Sequence, residues 1–275
     1  MDELYVIARR VLLDALEALG EHKGATILVG AQAIYLHSGD ADLGVAEYTT
    51  DADLAFDPDL LAEIPPLDQA LEGAGFYGSS SAIGIWKTQR RTSASLDIDV
   101  QVDLLVPTIV SPGTGRRAAR LPGHGVNAAR KVDGLEGALV DLGEHEIASL
   151  EPEVDPRVVR VNVAGPGALL VAKMFKIHER RGSTRANDKD ALDVLRILQG
   201  VSTEDLARSL TSILGTERSA TTGARALELF TELFGNRGGE GTAMAARAAQ
   251  PVMDPDQVRG ICEALAGDLL EVVKP

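Results

Sequence analysis

Thr49-Thr50-Asp51-Ala52-Asp53-Leu54 opens a short segment, 51–56, that alternates polar and apolar residues until Asp57-Pro58 stops it. The alternation predicts a strand. On a strand, residues i and i+2 project from one face, so Asp51 and Asp53 are placed to share one ion. A second run, Leu96-Asp97-Ile98-Asp99-Val100-Gln101-Val102-Asp103-Leu104-Leu105-Val106, alternates through Asp103 and is stopped by Pro107. Asp103 stands there among apolar neighbours, where an unpaired carboxylate carries a heavy desolvation cost. Asp97 and Asp99 have the same parity, so the third carboxylate is open among the three; the apolar flanks favour Asp103. Three clustered carboxylates need compensating charge, and magnesium supplies it through hard oxygen ligands. Asp-x-Asp pairs also stand at solvated strand edges and in glycosyltransferase metal sites.

Around these strands the pattern is mixed. Residues 3–19 place Leu4, Ile7, Ala8, Val11, Leu12, Ala15 and Leu19 at helical spacing, interrupted by Asp2, Glu3, Arg9, Arg10, Asp14 and Glu17, which reads as an amphipathic helix. Residues 25–30 read as a short strand, 31–37 and about 67–71 as helices, and 158–163 as a last strand. Residues 107–125 are a loop rich in Gly, Pro and Arg. From Pro166 onward helices are predicted at 166–181, 188–199, 203–214, 219–234 and 255–273. Ala164-Gly165-Pro166 marks the boundary by placing Pro at a helix N1 position. The expected architecture is α+β, with a mixed-sheet domain over 1–164 and a helical domain over 165–275.

The helix from Pro166 has an apolar stripe of Leu170, Met174 and Ile177, with Lys173, Lys176 and Arg180 beside it. This is either a solvated face or a set of cations for a triphosphate. Asn187-Asp188-Lys189-Asp190-Ala191-Leu192-Asp193 then opens another helix, with Asp190 and Asp193 on one side. Acids in a first turn serve as caps and dipole partners as well as ligands.

The 275 residues include 27 Lys+Arg and 41 Asp+Glu, a net charge of −14. With 45% apolar and 25% charged residues the chain has a globular mixture. Cys262 is the single cysteine, so an intramolecular disulfide and a tetrahedral cysteine zinc site are excluded, and a cytoplasmic setting is expected. The N-terminus lacks a signal-peptide pattern, and no uncharged run reaches the ~20 residues of a membrane span. The acidic balance excludes a broad nucleic-acid coat. Bases concentrate locally, however: Lys87, Arg90 and Arg91; then Arg116, Arg117, Arg120, Arg130 and Lys131; then residues 173–189. Gly113-Thr114-Gly115 and Gly238-Gly239-Glu240-Gly241 lack the context of a P-loop and read as loops. Trp86 is open between core and base stacking, and His178 between packing and phosphate contact.

Gly30-Ala31, then Asp51 and Asp53, then Asp103 follow the order found in the DNA polymerase β-like nucleotidyltransferase superfamily, which this region resembles. Lys173-Met174-Phe175-Lys176-Ile177-His178-Glu179-Arg180, followed by Asp190-Ala191-Leu192-Asp193, resembles motifs of the AbiEii/MenT-type nucleotidyltransferase toxins. The resemblance implies a polymerase β-like mixed sheet with flanking helices and a C-terminal helical domain. It also implies transfer of a nucleoside monophosphate from an NTP to an acceptor hydroxyl, with two magnesium ions held by Asp51, Asp53 and Asp103. Gly30, Ala31, Thr50, Lys173, Lys176, Arg180 and Asp193 would meet the nucleotide, with Lys173 and Asp190 also catalytic. The implied acceptor is RNA, foremost the tRNA 3′ end, in a toxin–antitoxin system with a cognate antitoxin protein and no membrane role. Gly30-Ala31 replaces the superfamily's usual Gly-Gly or Gly-Ser. Nucleotidylation of a small molecule or protein, or a non-catalytic nucleotide-binding module, therefore stay as alternatives.

Overall fold

Asp2 starts the first helix by accepting the backbone N–H groups of Leu4 and Tyr5, and α1 (Glu3–Ala18) follows in this computed structural model, which describes residues 2–39, 47–111 and 117–273. Gly113-Thr114-Gly115 and Arg116 lie outside the described residues. The chain forms two compact units.

The first unit comprises Met1–Gln32, Glu47–Val132 and Leu142–Val163. Its strands are β1 (Thr26–Val29), β2 (Asp51–Phe56), β3 (Tyr77–Gly78), β4 (Ile85–Arg91), β5 (Asp97–Pro107), β6 (Arg130–Val132), β7 (Leu142–Ala148) and β8 (Val158–Ala164). They form one sheet in the order β3-β4-β5-β2-β1-β8-β7, with β6 added to β5. The sheet is mixed: β2 runs parallel to β5 and antiparallel to β1, and β1 runs parallel to β8. The fold class is thus α+β, as expected. β2 and β5 lie inside the sheet, so Leu54, Phe56, Val102, Leu104 and Val106 are fully buried. α1 packs on β5 and β2, and α3 (Leu67–Gly73) packs on α1.

Three strands escape the sequence reading. β3 and β6 are too short to alternate, and β7, at the end of the sheet, has polar residues on both faces. Trp86 is core: its indole N–H donates to the Ala128 carbonyl at 2.9 Å.

The second unit comprises Ala164–Pro275, Asp133–Asp141 and the described part of Ala33–Ala46. Its helices are α4 (Pro166–Arg180), α5 (Asp188–Gly200), α6 (Thr203–Gly215), α7 (Ala220–Phe234), α8 (Glu240–Ala248) and α9 (Pro255–Val272), while α2 (Gly30–Ser38) runs from the first unit into this one. Pro166 stands in the first turn of α4, and the Asp141 carboxylate accepts the Ala168 N–H at 2.9 Å, capping that helix from a distant segment. α4 packs against α5, α6 and α7, and α5 against α8 and α9. Gly238 and Gly239 lie in the turn before α8, as expected, while Glu240 and Gly241 correct the loop reading by opening the helix. Gly241 sits inside its first turn because a Cβ there would come within 2.5 Å of the Phe234 ring. Cys262 is buried in this unit, and burial pushes its thiol up to about 12. Among the described residues, no helix is long and apolar enough to cross a membrane.

Candidate functional site

The parallel register of β2 and β5 pairs Asp51 with Gln101 and Asp53 with Asp103. All four side chains therefore share one face, and Asp53 and Asp103 are direct lateral neighbours. Asp97 and Asp99 lie before the β2-paired part of β5 and turn to other partners: Asp97 to Arg91, and Asp99 to the Tyr77 hydroxyl and Lys87. Asp103 is 4% exposed. Burial first, and then the Asp53 and Asp51 charges, push its carboxyl up to about 7, against the pull of Arg130 and Gln101. One of its oxygens accepts from Arg130, and the other accepts from Gln101 Nε2 at 2.6 Å.

Gly30 opens α2 at φ +72°, with Asp53 packed directly against it. A Cβ at this position would lie 2.1 Å from Asp53 Oδ2. Glycine is required both for the backbone angle and for the close approach of a carboxylate to the helix start. Ala31 is buried in the first turn, and Thr50 is exposed just before β2. Thr49 Oγ1 donates to Asp51 Oδ1 at 2.5 Å.

Behind Asp51 stands a support that the sequence does not announce. Gln32 Nε2 donates to the Asp51 carbonyl at 3.0 Å, and Arg9 Nε donates to Gln32 Oε1 at 2.8 Å. Arg9 reads in sequence as a solvated interruption of α1, yet it is 4% exposed and also donates to the Tyr5 hydroxyl. The chain Tyr5–Arg9–Gln32 thus fixes the start of β2 relative to α1 and α2.

The helical unit holds the second cluster. Asn187, not an Asp, caps α5 by accepting the Lys189 N–H at 3.0 Å, which leaves Asp190 and Asp193 for other partners. Lys173 Nζ donates to Asp190 Oδ1 at 2.8 Å and to Asp193 Oδ2 at 2.7 Å. Lys173 is 4% exposed, so its ammonium lies inside the unit rather than on its surface. Lys176 and Arg180 approach Asp190 from outside, at 3.0 and 3.3 Å. Burial opposes both charges of the Lys173–Asp190 pair. The two carboxylates nevertheless raise the Lys173 ammonium well above its usual value, and Lys173 and Lys176 hold Asp190 well below the usual carboxylate range. His178 is exposed on α4.

The three cationic stretches differ once paired. Lys87 meets Asp99 at 3.6 Å, Arg90 meets Asp14 at 2.5 Å, and Arg91 meets Asp97 at 3.9 Å. In the third stretch Arg181 binds Glu232 and Glu240, and Arg185 binds Glu179. Steering by these two stretches is therefore weaker than their sequence charge suggests. Arg117 and Arg120 are exposed and have no ion pair among the described residues.

The donor set at Asp51, Asp53 and Asp103 suits a hard divalent cation: all oxygen, on one face, with more negative than positive charge. Asp51 and Asp53 bring two carboxylates to that face, and Asp51 Oδ1 accepts from Thr49. Asp103 fits in position, but both its oxygens are engaged. Among the described residues, no three His, Cys, Asp or Glu side chains are gathered so as to hold a metal ion.

No protein-family model and no curated protein matches the chain. Among solved structures it is similar to an antigenic nucleotidyltransferase-like protein from Paracoccidioides brasiliensis, at 18% identity over 82% of this chain and 93% of that one, with a TM-score of 0.41. A likeness of that size carries no inference about activity.

Proposed function

We propose that the chain is a magnesium-dependent nucleotidyltransferase that moves a nucleoside monophosphate from an NTP to an acceptor hydroxyl and releases pyrophosphate. The observation that carries this reading is the register that sets Asp103 beside Asp53, with Asp51 on the same face and Gly30 opening α2 against Asp53. Asp51 and Asp53 would hold the metal, with Asp103 beside them as a third ligand. A divalent cation at these oxygens supplies Lewis-acid stabilisation of phosphoryl charge. The first-turn amides of α2, from Gly30 and Ala31 onward, offer partial positive charge to a phosphate oxygen, with Thr50 beside β2 as a further donor. Asp103 supplies base character toward the acceptor hydroxyl. Gln32 and Arg9 keep Asp51 in place and exclude water behind it.

In the helical unit, Lys176 and Arg180 are the cations open to an anionic ligand. Lys173 acts through Asp190 and Asp193 as a positioning residue. The proposed acceptor is RNA, with tRNA foremost, and a toxin–antitoxin role follows from the same resemblance. Arg117 and Arg120, exposed and without ion pairs among the described residues, are the cations most available to a phosphodiester chain.

The test is incubation of the full chain with magnesium, labelled NTPs and total RNA, followed by separation of products. Label in RNA that disappears with Asp51→Ala supports the reading. Label in a small molecule or protein redirects the acceptor, and tight NTP binding without pyrophosphate release overturns catalysis in favour of a nucleotide-binding module.

A further inference from the structure

Arg130 has a position that the metal reading leaves unexplained. It lies on β6, directly across from Leu105 of β5, and its guanidinium reaches back to Asp103 on the carboxylate face. Its strand is held on both sides. β6 pairs with Leu105, Val106 and Pro107 of β5, and the Ala119 N–H donates to the Ala129 carbonyl at 3.0 Å while the Lys131 N–H donates to the Arg117 carbonyl at 2.7 Å. The backbone that carries Arg130 is therefore hydrogen-bonded on both sides. The Arg130 side chain is 28% exposed whereas that of Asp103 is 6% exposed, so the guanidinium is the more solvent-accessible member of the pair.

The charge around it is unequal. Asp51, Asp53 and Asp103 share one face, and Arg130 contacts Asp103 there. The lone pair of Asp103 that accepts from Arg130 is unavailable to a metal ion while that contact lasts. A divalent cation and a guanidinium at the same carboxylate also repel each other, and the low local dielectric strengthens this repulsion.

We propose that Arg130 is the resting counter-ion of the carboxylate cluster, and that a divalent cation engages Asp103 only by displacing it. The inference rests on the cluster being the metal site proposed above. Arg130 thereby sets the metal concentration at which the site fills, and the cluster never stands uncompensated: one cation leaves as another arrives. Gln101 keeps its hydrogen bond to the other Asp103 oxygen, so the carboxylate keeps its orientation through the exchange.

Mn2+ titration of the full chain, with free Mn2+ read by EPR and no nucleotide present, tests this without catalysis. Arg130→Gln removes the competitor and is expected to tighten Mn2+ binding about tenfold, the order set by removing one nearby like charge. Gln101→Met removes a hydrogen bond but no charge, and is expected to stay within about twofold of wild type on the same Coulombic argument. In the unaltered protein, the Arg130 Nε–H NMR resonance should move to its solvent-exposed position as Mg2+ is added. Unchanged or weaker Mn2+ binding in Arg130→Gln, or an Arg130 resonance unmoved at Mg2+ saturation, overturns the exchange while Asp51-dependent metal binding in wild type leaves the site reading standing. Absence of Asp51-dependent Mn2+ binding in both wild type and Arg130→Gln overturns the site reading, and the exchange with it.

Discussion

The carboxylate cluster on the sheet and the Lys–Asp cluster between α4 and α5 use the same ingredients in opposite proportion. On the sheet, Asp51 and Asp53 crowd Asp103, which pairs with Arg130, and Asp103 is pushed up to about 7. Between the helices, Lys173, Lys176 and Arg180 surround Asp190 and Asp193, and Asp190 is held below the usual carboxylate range. A cluster short of cations resists its own charge and is suited to receive one; perturbation of this kind concentrates at functional sites. A cluster that supplies its own cations is already satisfied, and its inner members serve as a clamp.

The sharpest way to break this contrast is Lys173→Met. If the helical cluster is a clamp, the variant leaves two buried carboxylates without their ammonium and should lose about 3–5 kcal/mol in urea unfolding. Adding Asp190→Asn and Asp193→Asn should restore most of that loss. A single variant as stable as wild type would show that Lys173 is not structural and return it to direct ligand contact.

Gly30→Ala attacks the other cluster. Its Cβ collides with Asp53, and positive φ costs a non-glycine residue about 1–2 kcal/mol. Displacing Asp53 should lower labelled-nucleotide transfer about 10²-fold. Transfer at the wild-type rate would remove Asp53 from the site.

Acid titration separates the two clusters by sign. Asp103 has a folded-state value of about 7 against 3.8 for the free side chain, so the native state holds its proton longer. Its contribution makes stability fall as pH rises from about 4 to 7. Asp190 is depressed, so its stabilisation is complete above its ordinary value of 3.8 and is lost as pH falls below it. His22 and His124, lowered chiefly by burial, tilt the other way from Asp103: their contribution is lost as pH falls through 6.5. The difference between wild type and Asp103→Asn, in EDTA, is therefore the quantity to measure. It should shrink toward pH 4 and favour the variant at pH 7. No pH trend in that difference would erase the contrast.

The smallest expected effects concern the surface. Arg117→Glu with Arg120→Glu should weaken binding of a single-stranded RNA several-fold and reduce its salt slope by about 0.7 per charge removed. Arg91→Ala should change neither binding nor stability measurably, because Arg91 and Asp97 are both 69% exposed. Equal effects at the two places would mean that ion pairing does not distinguish the cationic stretches.

Much of the fold was legible because its signals are local. Alternation marked β2 and the long β5, and helical spacing marked α1, α4 to α7 and α9. α8 was missed because glycine reads locally as a loop, although Gly241 is there to admit the Phe234 ring. β7 was missed because a strand at the end of the sheet has no apolar face to announce it. Arg9 looked solvated because periodicity cannot reveal a partner, Gln32, that arrives from another helix.

The sequence by itself determined the α+β class, the shared face of Asp51 and Asp53, and the succession of a cationic helix and an Asp-x-x-Asp helix. Each rests on local patterns of alternation or helical spacing, where backbone period alone sets direction. Only the tertiary structure decided that Asp103, and not Asp97 or Asp99, stands beside Asp53, since a register between strands is a relation between distant segments. It alone placed Lys173 inside its unit and Arg130 on Asp103. Charge is written in the sequence, but its compensation depends on which groups folding brings within a few ångströms in a medium too poor in water to screen them.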